Sequence, residues 1–134
     1  YAPISLPVNR FINGDRLRVI GFSWEENSAQ DFQIDFITPD VQSALRFNPR
    51  YEDHVIILST IKANSNFHFQ RMIDLPFIDG EVITLEFASS PGLITVFMND
   101  EILTGYEMRI QSELIERIEI SGNFFAHSIL LTTN

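Results

Sequence analysis

Arg46, Asn48 and Arg50 alternate with Leu45 and Phe47 along the stretch Leu45-Arg46-Phe47-Asn48-Pro49-Arg50. In extended backbone, successive side chains point to opposite faces. Two guanidinium groups and an amide therefore project from one side, while Leu45 and Phe47 can anchor in a core. A row of donors on an open sheet suits a hydroxyl-rich ligand, because each hydroxyl both donates and accepts. The stretch reads as a strand that runs into an Asn-Pro-Arg corner and carries a binding surface.

Other residue types capable of chemistry are less well placed. His54, His68 and His127 are scattered, with no metal-ligand spacing, and read as surface or edge residues. Glu25-Glu26, or Glu116 with Glu119, would suit acid–base work only with a nucleophile or a burying pocket nearby. Neither is evident, so these acids read as solvated loop and strand-edge charges. Ser89-Ser90-Pro91-Gly92 lacks the lysine and following helix of a phosphate loop and reads as a turn. There is no cysteine, which excludes disulfides and thiolate metal sites, and no N-glycosylation sequon. No cofactor and no enzymatic activity are expected.

The chain that must position the Arg-Asn-Arg row has 134 residues, which fits one domain over 1–134 with a substantial core. Hydrophobic residues make up 45%, with 12 phenylalanines, and this excludes disorder. Nine basic against 18 acidic residues give a net charge of −9, the wrong sign for a nucleic-acid surface. The apolar runs are too short for a membrane-spanning helix. The chain opens on Tyr1, without Met and without a charged-then-apolar leader, as a processed or excised piece would.

Strand periodicity dominates. Asp31–Phe36 alternates strictly, and Val55–Leu58, Val82–Phe87, Leu93–Met98, Ile118–Ile120 and Ser128–Leu131 are short, branched and apolar. Turn residues fall between them at Asn13-Gly14-Asp15, Thr38-Pro39-Asp40, Ile78-Asp79-Gly80, Asn99-Asp100 and Ser121-Gly122-Asn123. The helix candidate is Ile110–Arg117, where Ser112 and Glu113 can begin a turn. This pattern predicts an all-β domain of two packed antiparallel sheets, a β-sandwich. Trp24 is expected in the core. Phe97 is expected to point out of its sheet if Val96 and Met98 face inward.

From about Leu6 to Leu131 the chain resembles a galectin. Asn48-Pro49-Arg50 matches the centre of that family's sugar motif, and Val55–Thr60 its following strand. Arg71 and Leu75-Pro76-Phe77 resemble the segment that closes the motif. Val96-Phe97-Met98-Asn99-Asp100, Tyr106, Arg109 and Ile118–Gly122 resemble the C-terminal half. The resemblance implies a jelly-roll sandwich whose concave sheet binds β-galactosides without catalysis or a cofactor.

Several motif positions depart from the family pattern. Arg46 stands where the family has His, Ser59 where it has its second Asn, and Phe69 where it has Glu. The stacking Trp position falls on Asn66, or on Phe67 if the register slips by one. Asn48, Arg50 and Arg71 are unchanged. Arg46 can donate but not accept, and it is bulkier than imidazole; Ser59 is shorter than the amide it replaces. Losing an aromatic platform removes about 0.5–1.5 kcal/mol, and losing a charge-assisted hydrogen bond about 1.5–3 kcal/mol. The resemblance thus implies galactose-containing glycans bound with altered or weakened specificity.

With Phe69 at the position of the bracing Glu, Arg46, Arg50 and Arg71 are expected to share a concave surface and to need neutralisation. Internal pairing with Asp31, Asp35, Glu52 or Asp53 would supply it, and so would an anionic glycan, sulphated or sialylated. Phe67 and Phe69 either replace the stacking surface or fill the groove. Two function classes stay open. One is a galectin-type lectin. The other is a galectin-fold protein that has lost sugar binding and acts through protein–protein contacts, with Asn48-Pro49-Arg50 kept only to turn a corner. The implied partners are glycans or glycoproteins, with no nucleic acid and no membrane insertion, in a homodimer or a tandem-domain parent chain. The implied location is cytoplasmic, extracellular by non-classical secretion, or both.

Overall fold

The structure is a computed structural model and describes residues 3–23, 31–40, 42–62, 69–78 and 80–133. Among the described residues, eleven strands run β1 (Ile4–Pro7), β2 (Arg16–Phe22), β3 (Phe32–Ile37), β4 (Ser43–Arg50), β5 (Val55–Ile61), β6 (Phe69–Asp74), β7 (Ile83–Ser90), β8 (Leu93–Met98), β9 (Glu101–Glu107), β10 (Arg117–Gly122) and β11 (Phe125–Thr132). They form a six-stranded sheet, β1-β10-β3-β4-β5-β6, and a five-stranded sheet, β11-β2-β7-β8-β9. Every pairing is antiparallel. This is the two-sheet β-sandwich that the alternating pattern predicts.

Alternation explains which face each strand buries. In β7, Ile83, Leu85 and Phe87 are buried, with Thr84 and Glu86 between them turned outward. In β2, Leu17 and Val19 are fully buried between Arg16, Arg18 and Ile20. Phenylalanines bind the sheets together: Phe36 lies 5.3 Å from both Phe11 and Phe87, and Phe47 meets Phe87 edge-on at the same distance. Each such pair adds about 0.5–1.5 kcal/mol beyond its buried area. A polar tie crosses the core as well. Thr60 of β5 shares a 2.5 Å hydrogen bond with the Tyr106 hydroxyl of β9 and donates to Ala44 O at 3.0 Å. Val96 is buried and Phe97 only half-buried, in line with the expected outward turn of Phe97.

Two expectations are corrected. Asn48-Pro49-Arg50 is not a corner, because β4 runs through Arg50 and stays in register with β5, Pro49 opposite Ile56. The reversal comes at residues 51–54, where His54 takes the left-handed φ of 57°. The helix candidate shrinks to a single 3₁₀ turn, Ser112–Leu114. Its continuation is prevented by sheet contacts: Ile115 returns to extended backbone with its side chain fully buried, and Glu116 N donates to Ile37 O at 2.8 Å. Asn99 and Asp100 adopt φ of 50° and 70° in a two-residue hairpin between β8 and β9. Positive φ at both central residues suits the twist of the flanking strands. Among the described residues no helix is long and apolar enough to cross a membrane.

Candidate functional site

The outward face of the six-stranded sheet carries the candidate site, and strand register decides which residues share it. One row crosses all six strands: Ser5, Glu119, Asp35, Arg46, Ser59 and Gln70. The next row places Asn48 opposite Ile57 and Ile57 opposite Met72, and a third places Arg50 opposite Val55 and Val55 opposite Asp74. Leu45 and Phe47 point the other way and are fully buried. The alternation along β4 therefore holds as expected, with Arg46, Asn48 and Arg50 on one face.

Internal bonds hold these three side chains in place. Arg46 Nε donates to Asp35 Oδ1 at 2.8 Å, and the carboxylate also accepts from Ser43 Oγ at 2.7 Å and from Gln33 Nε2 at 3.1 Å. Asp35 is buried, so the pair forms an anchored brace, and the expected neutralisation by internal acids holds for this arginine. Asn48 is also buried; its Nδ2 donates to Phe32 O at 2.7 Å, and its Oδ1 accepts from Arg50 Nε at 2.9 Å. Asn48 thus bonds to β3 and to Arg50 rather than to a turn. Only Nε of each arginine is used in this way. Among the described residues, the terminal amino groups of Arg46 and Arg50 have no protein acceptor, and Arg50 has no carboxylate partner. Asp31 Oδ1 instead accepts from Tyr51 N at 3.1 Å. A depression of about 280 Å³ opens beside Asn48 and Arg50, walled by Asp31, Gln33 and Ser121.

Arg71 and Phe69 do not join this group, which corrects the expectation of one shared three-arginine surface. Thr60 lies opposite Phe69 and Leu58 opposite Arg71, and both Thr60 and Leu58 face the core. Phe69 packs 6.0 Å from the Tyr106 ring, and the Arg109 guanidinium sits 3.4 Å over the Phe69 ring. Arg71 reaches to the other sheet, where its Nη1 donates to Gly105 O at 2.6 Å. A one-residue change of register turns a whole strand over. In β6 it presents Gln70 and Met72 where motif order had suggested Phe69 and Arg71.

Ser59 is on the site face, 1% exposed, and its Oγ has no hydrogen-bond partner among the described residues. Asn66, Phe67 and His68 lie outside the described residues, as do Trp24, Glu25 and Glu26. His54 and His127 are exposed, and no group of three His, Asp or Glu side chains suited to a metal occurs among the described residues. Sequence reasoning missed Gln70, Ile57 and Met72. The signal for Ile57 was the alternation of β5, and that for Gln70 and Met72 the alternation of β6, legible only once the register of β6 on β5 is known.

Comparison with known proteins adds ancestry to this geometry. A family described as galactoside-binding lectin matches residues 4–131. A 32 kDa beta-galactoside-binding lectin of Haemonchus contortus is 26% identical over 102 residues, covering 76% of this chain and 36% of that protein. A tectonin beta-propeller repeat-containing protein of Drosophila melanogaster is 23% identical over 111 residues, covering 83% of this chain and 8% of that protein. The chain thus spans about a third or less of the length of these curated relatives. The crystal structure of Caenorhabditis elegans galectin LEC-6 superposes with a TM-score of 0.92 at 28% identity, covering 99% of this chain and 92% of that one. Sheep galectin-11, in complex with glycerol, superposes at 0.87 with 16% identity over 97% of both chains, a likeness of fold alone.

Proposed function

Because the chain belongs to the galactoside-binding lectin family, and so carries a galectin-type carbohydrate-binding domain, we propose that it binds galactose-containing glycans with altered or weakened specificity through the outward face of β3–β6. The observation that carries this reading is the common projection of Arg46, Asn48 and Arg50 from β4, with the arginine terminal amino groups open to a ligand. Four terminal amino groups on two guanidinium planes, without acceptors among the described residues, present eight N–H donors and favour ligands rich in accepting oxygens. Arg50, without a carboxylate partner among the described residues, extends the reading to sulphated or sialylated galactosides.

Binding by Arg46, Asn48, Arg50 and Ser59 is the core of this proposal. A role for Asn66 rests on motif order alone. Phe69 and Arg71 contribute by closing the sandwich edge beside the site. We read residues 1–134 as one non-catalytic domain, working in a homodimer or a tandem-domain chain on glycans or glycoproteins, in the cytoplasm or after non-classical export.

A second reading has its own support. Asn48 gives its amide to Phe32 O and its carbonyl oxygen to Arg50, so this retained motif residue also serves the fold. That favours a galectin-fold protein working through protein contacts. A glycan array with lactose, N-acetyllactosamine and their sulphated and sialylated forms separates the two. Binding that disappears in Arg50→Ala, with the fold intact, supports the lectin. Silence across the array from folded protein supports the protein-contact reading.

A further inference from the structure

The row Asn48–Ile57–Met72 brings an apolar pair onto an otherwise polar recognition face. Ile57 and Met72 lie opposite each other on β5 and β6, and Asn48 lies opposite Ile57 on β4. Ile57 alternates with the fully buried Ile56 and Leu58, so it belongs to the outward face, yet it is only 6% exposed. Met72 is 57% exposed, an unusual place for a large apolar side chain at a site whose neighbours are Arg46, Arg50, Ser59 and Gln70. Strands are spaced about 4.8 Å apart, so Met72 stands roughly 10 Å across the sheet from Asn48. A sugar ring seated against the arginines of β4 would lie over β5, with its far side reaching the thioether.

A pyranose has polar edges and an apolar face of C–H groups. The edges need donors and acceptors; the face needs a soft, dry contact. In the row next to the apolar pair, Ser59 Oγ has no hydrogen-bond partner among the described residues, is 99% buried, and lies opposite Gln70, whose side chain is exposed. An orphaned hydroxyl at that depth is costly unless something completes it, and a sugar hydroxyl or a water held beneath the sugar would do so. The polar row and the apolar row therefore run side by side across β5 and β6, matching the two aspects of one ring.

Resting on the lectin reading above, we propose that Met72, backed by Ile57, is the apolar platform for the C–H face of the bound saccharide, and so a specificity-determining residue of this site. An unbranched thioether adapts its shape to the ring it covers, so it supports a ligand without the rigid selection that a flat aromatic imposes. Met72 lies on an edge strand and is exposed, so substitution there leaves the core untouched.

The test is a titration of wild type, Met72→Ala, Met72→Leu and Arg50→Ala against the best ligand from an array of lactose, N-acetyllactosamine and their sulphated and sialylated forms. Met72→Ala should bind about tenfold more weakly, as expected for losing a side chain's worth of apolar contact, and Met72→Leu should stay near wild type. Unchanged affinity in Met72→Ala while Arg50→Ala loses binding would overturn the platform and leave the lectin reading intact. An equal loss in Met72→Ala and Met72→Leu would overturn it too, since an apolar side chain of similar volume would then fail to serve. No binding by the folded wild type overturns both.

Discussion

Asp35 and Arg46 face each other across β3 and β4, and the arginine Nε donates to a carboxylate oxygen 2.8 Å away. The two are unequally placed: the aspartate side chain is 5% exposed and the arginine side chain 34%. The carboxylate is thus the buried member, and the arginine is its chief compensation. Removing one partner of a buried pair costs about 3–5 kcal/mol, and the partial exposure of Arg46 lowers this to roughly 1–3 kcal/mol. Arg46→Ala should therefore unfold at lower urea concentration than wild type. Asp35→Asn, which keeps an acceptor for Ser43 and Arg46, should lose less. An Arg46→Ala midpoint equal to that of wild type would show that the pair carries no stability.

Ser59→Ala should behave in the opposite way. Its Oγ is buried and without a partner among the described residues, so the folded protein bears a desolvation cost that alanine removes. The thermal midpoint should hold or rise, by an amount equivalent to about 0.5–1 kcal/mol. Glycan affinity should fall in the same variant if the hydroxyl is completed by ligand. A clear drop in midpoint would instead mean that a firmly held water satisfies the hydroxyl in the unliganded protein.

Residue pattern and residue placement separate along these strands. The faces of β4 were legible because Leu45 and Phe47 are both large and apolar, so only one orientation buries them. β2 was not identified, although Leu17 and Val19 alternate with Arg16 and Arg18, because two arginines and Gly21 break up its apolar character. β6 was harder still. Phe69-Gln70-Arg71-Met72-Ile73 offers Phe, Arg and Ile to one face and Gln and Met to the other, and neither set is decisively a core set. Its orientation follows from pairing with β5, and motif order alone therefore put Arg71 on the wrong side. The Asp35 brace was anticipated from alternation, whereas the Arg109–Phe69 contact joins residues 40 positions apart by tertiary packing alone.

That contact can be weighed directly. The Arg109 guanidinium lies 3.4 Å over the Phe69 ring and 5.4 Å from the Tyr106 ring. At an exposed site a cation–π contact contributes about 0.5–1 kcal/mol. A double-mutant cycle of Arg109→Gln and Phe69→Leu, followed by chemical denaturation, should return a coupling energy in that range. A coupling indistinguishable from zero would reduce the stack to proximity.

Tyr106 makes a prediction for alkaline solution. Burial raises its phenol above the ordinary value of 10.0, while the Thr60 hydrogen bond and the Arg109 charge oppose the shift and do not cancel it. The folded state therefore holds this proton more tightly than the unfolded chain does. The stabilisation is full below the unfolded pKa near 10 and is lost as pH rises through the higher folded value. Ultraviolet titration should show a tyrosine ionising above the ordinary value, and that late step should vanish in Tyr106→Phe. All tyrosines ionising together near the ordinary value would contradict it.

Gly122 ties the fold to the site. Its φ is +90°, and a Cβ there would come 2.4 Å from Asp31 O and 2.8 Å from Phe32 Cα. Both neighbours are backbone and cannot rotate away, so any side chain must push the start of β3. Phe32 O is the acceptor that holds the Asn48 amide at 2.7 Å, so that displacement passes to the β4 row. Gly92 is the natural control: its φ is +71°, but nothing lies within 4 Å of a Cβ built there. Gly92→Ala therefore bears only the left-handed strain of about 1–2 kcal/mol, and should leave glycan binding unchanged. Gly122→Ala adds a backbone clash to that strain. It should lose roughly 2–4 kcal/mol in denaturant unfolding and, where it still folds, weaken glycan binding with it. If Gly122→Ala proves no less stable than Gly92→Ala, β3 yields without cost and cannot be what holds Asn48 in place.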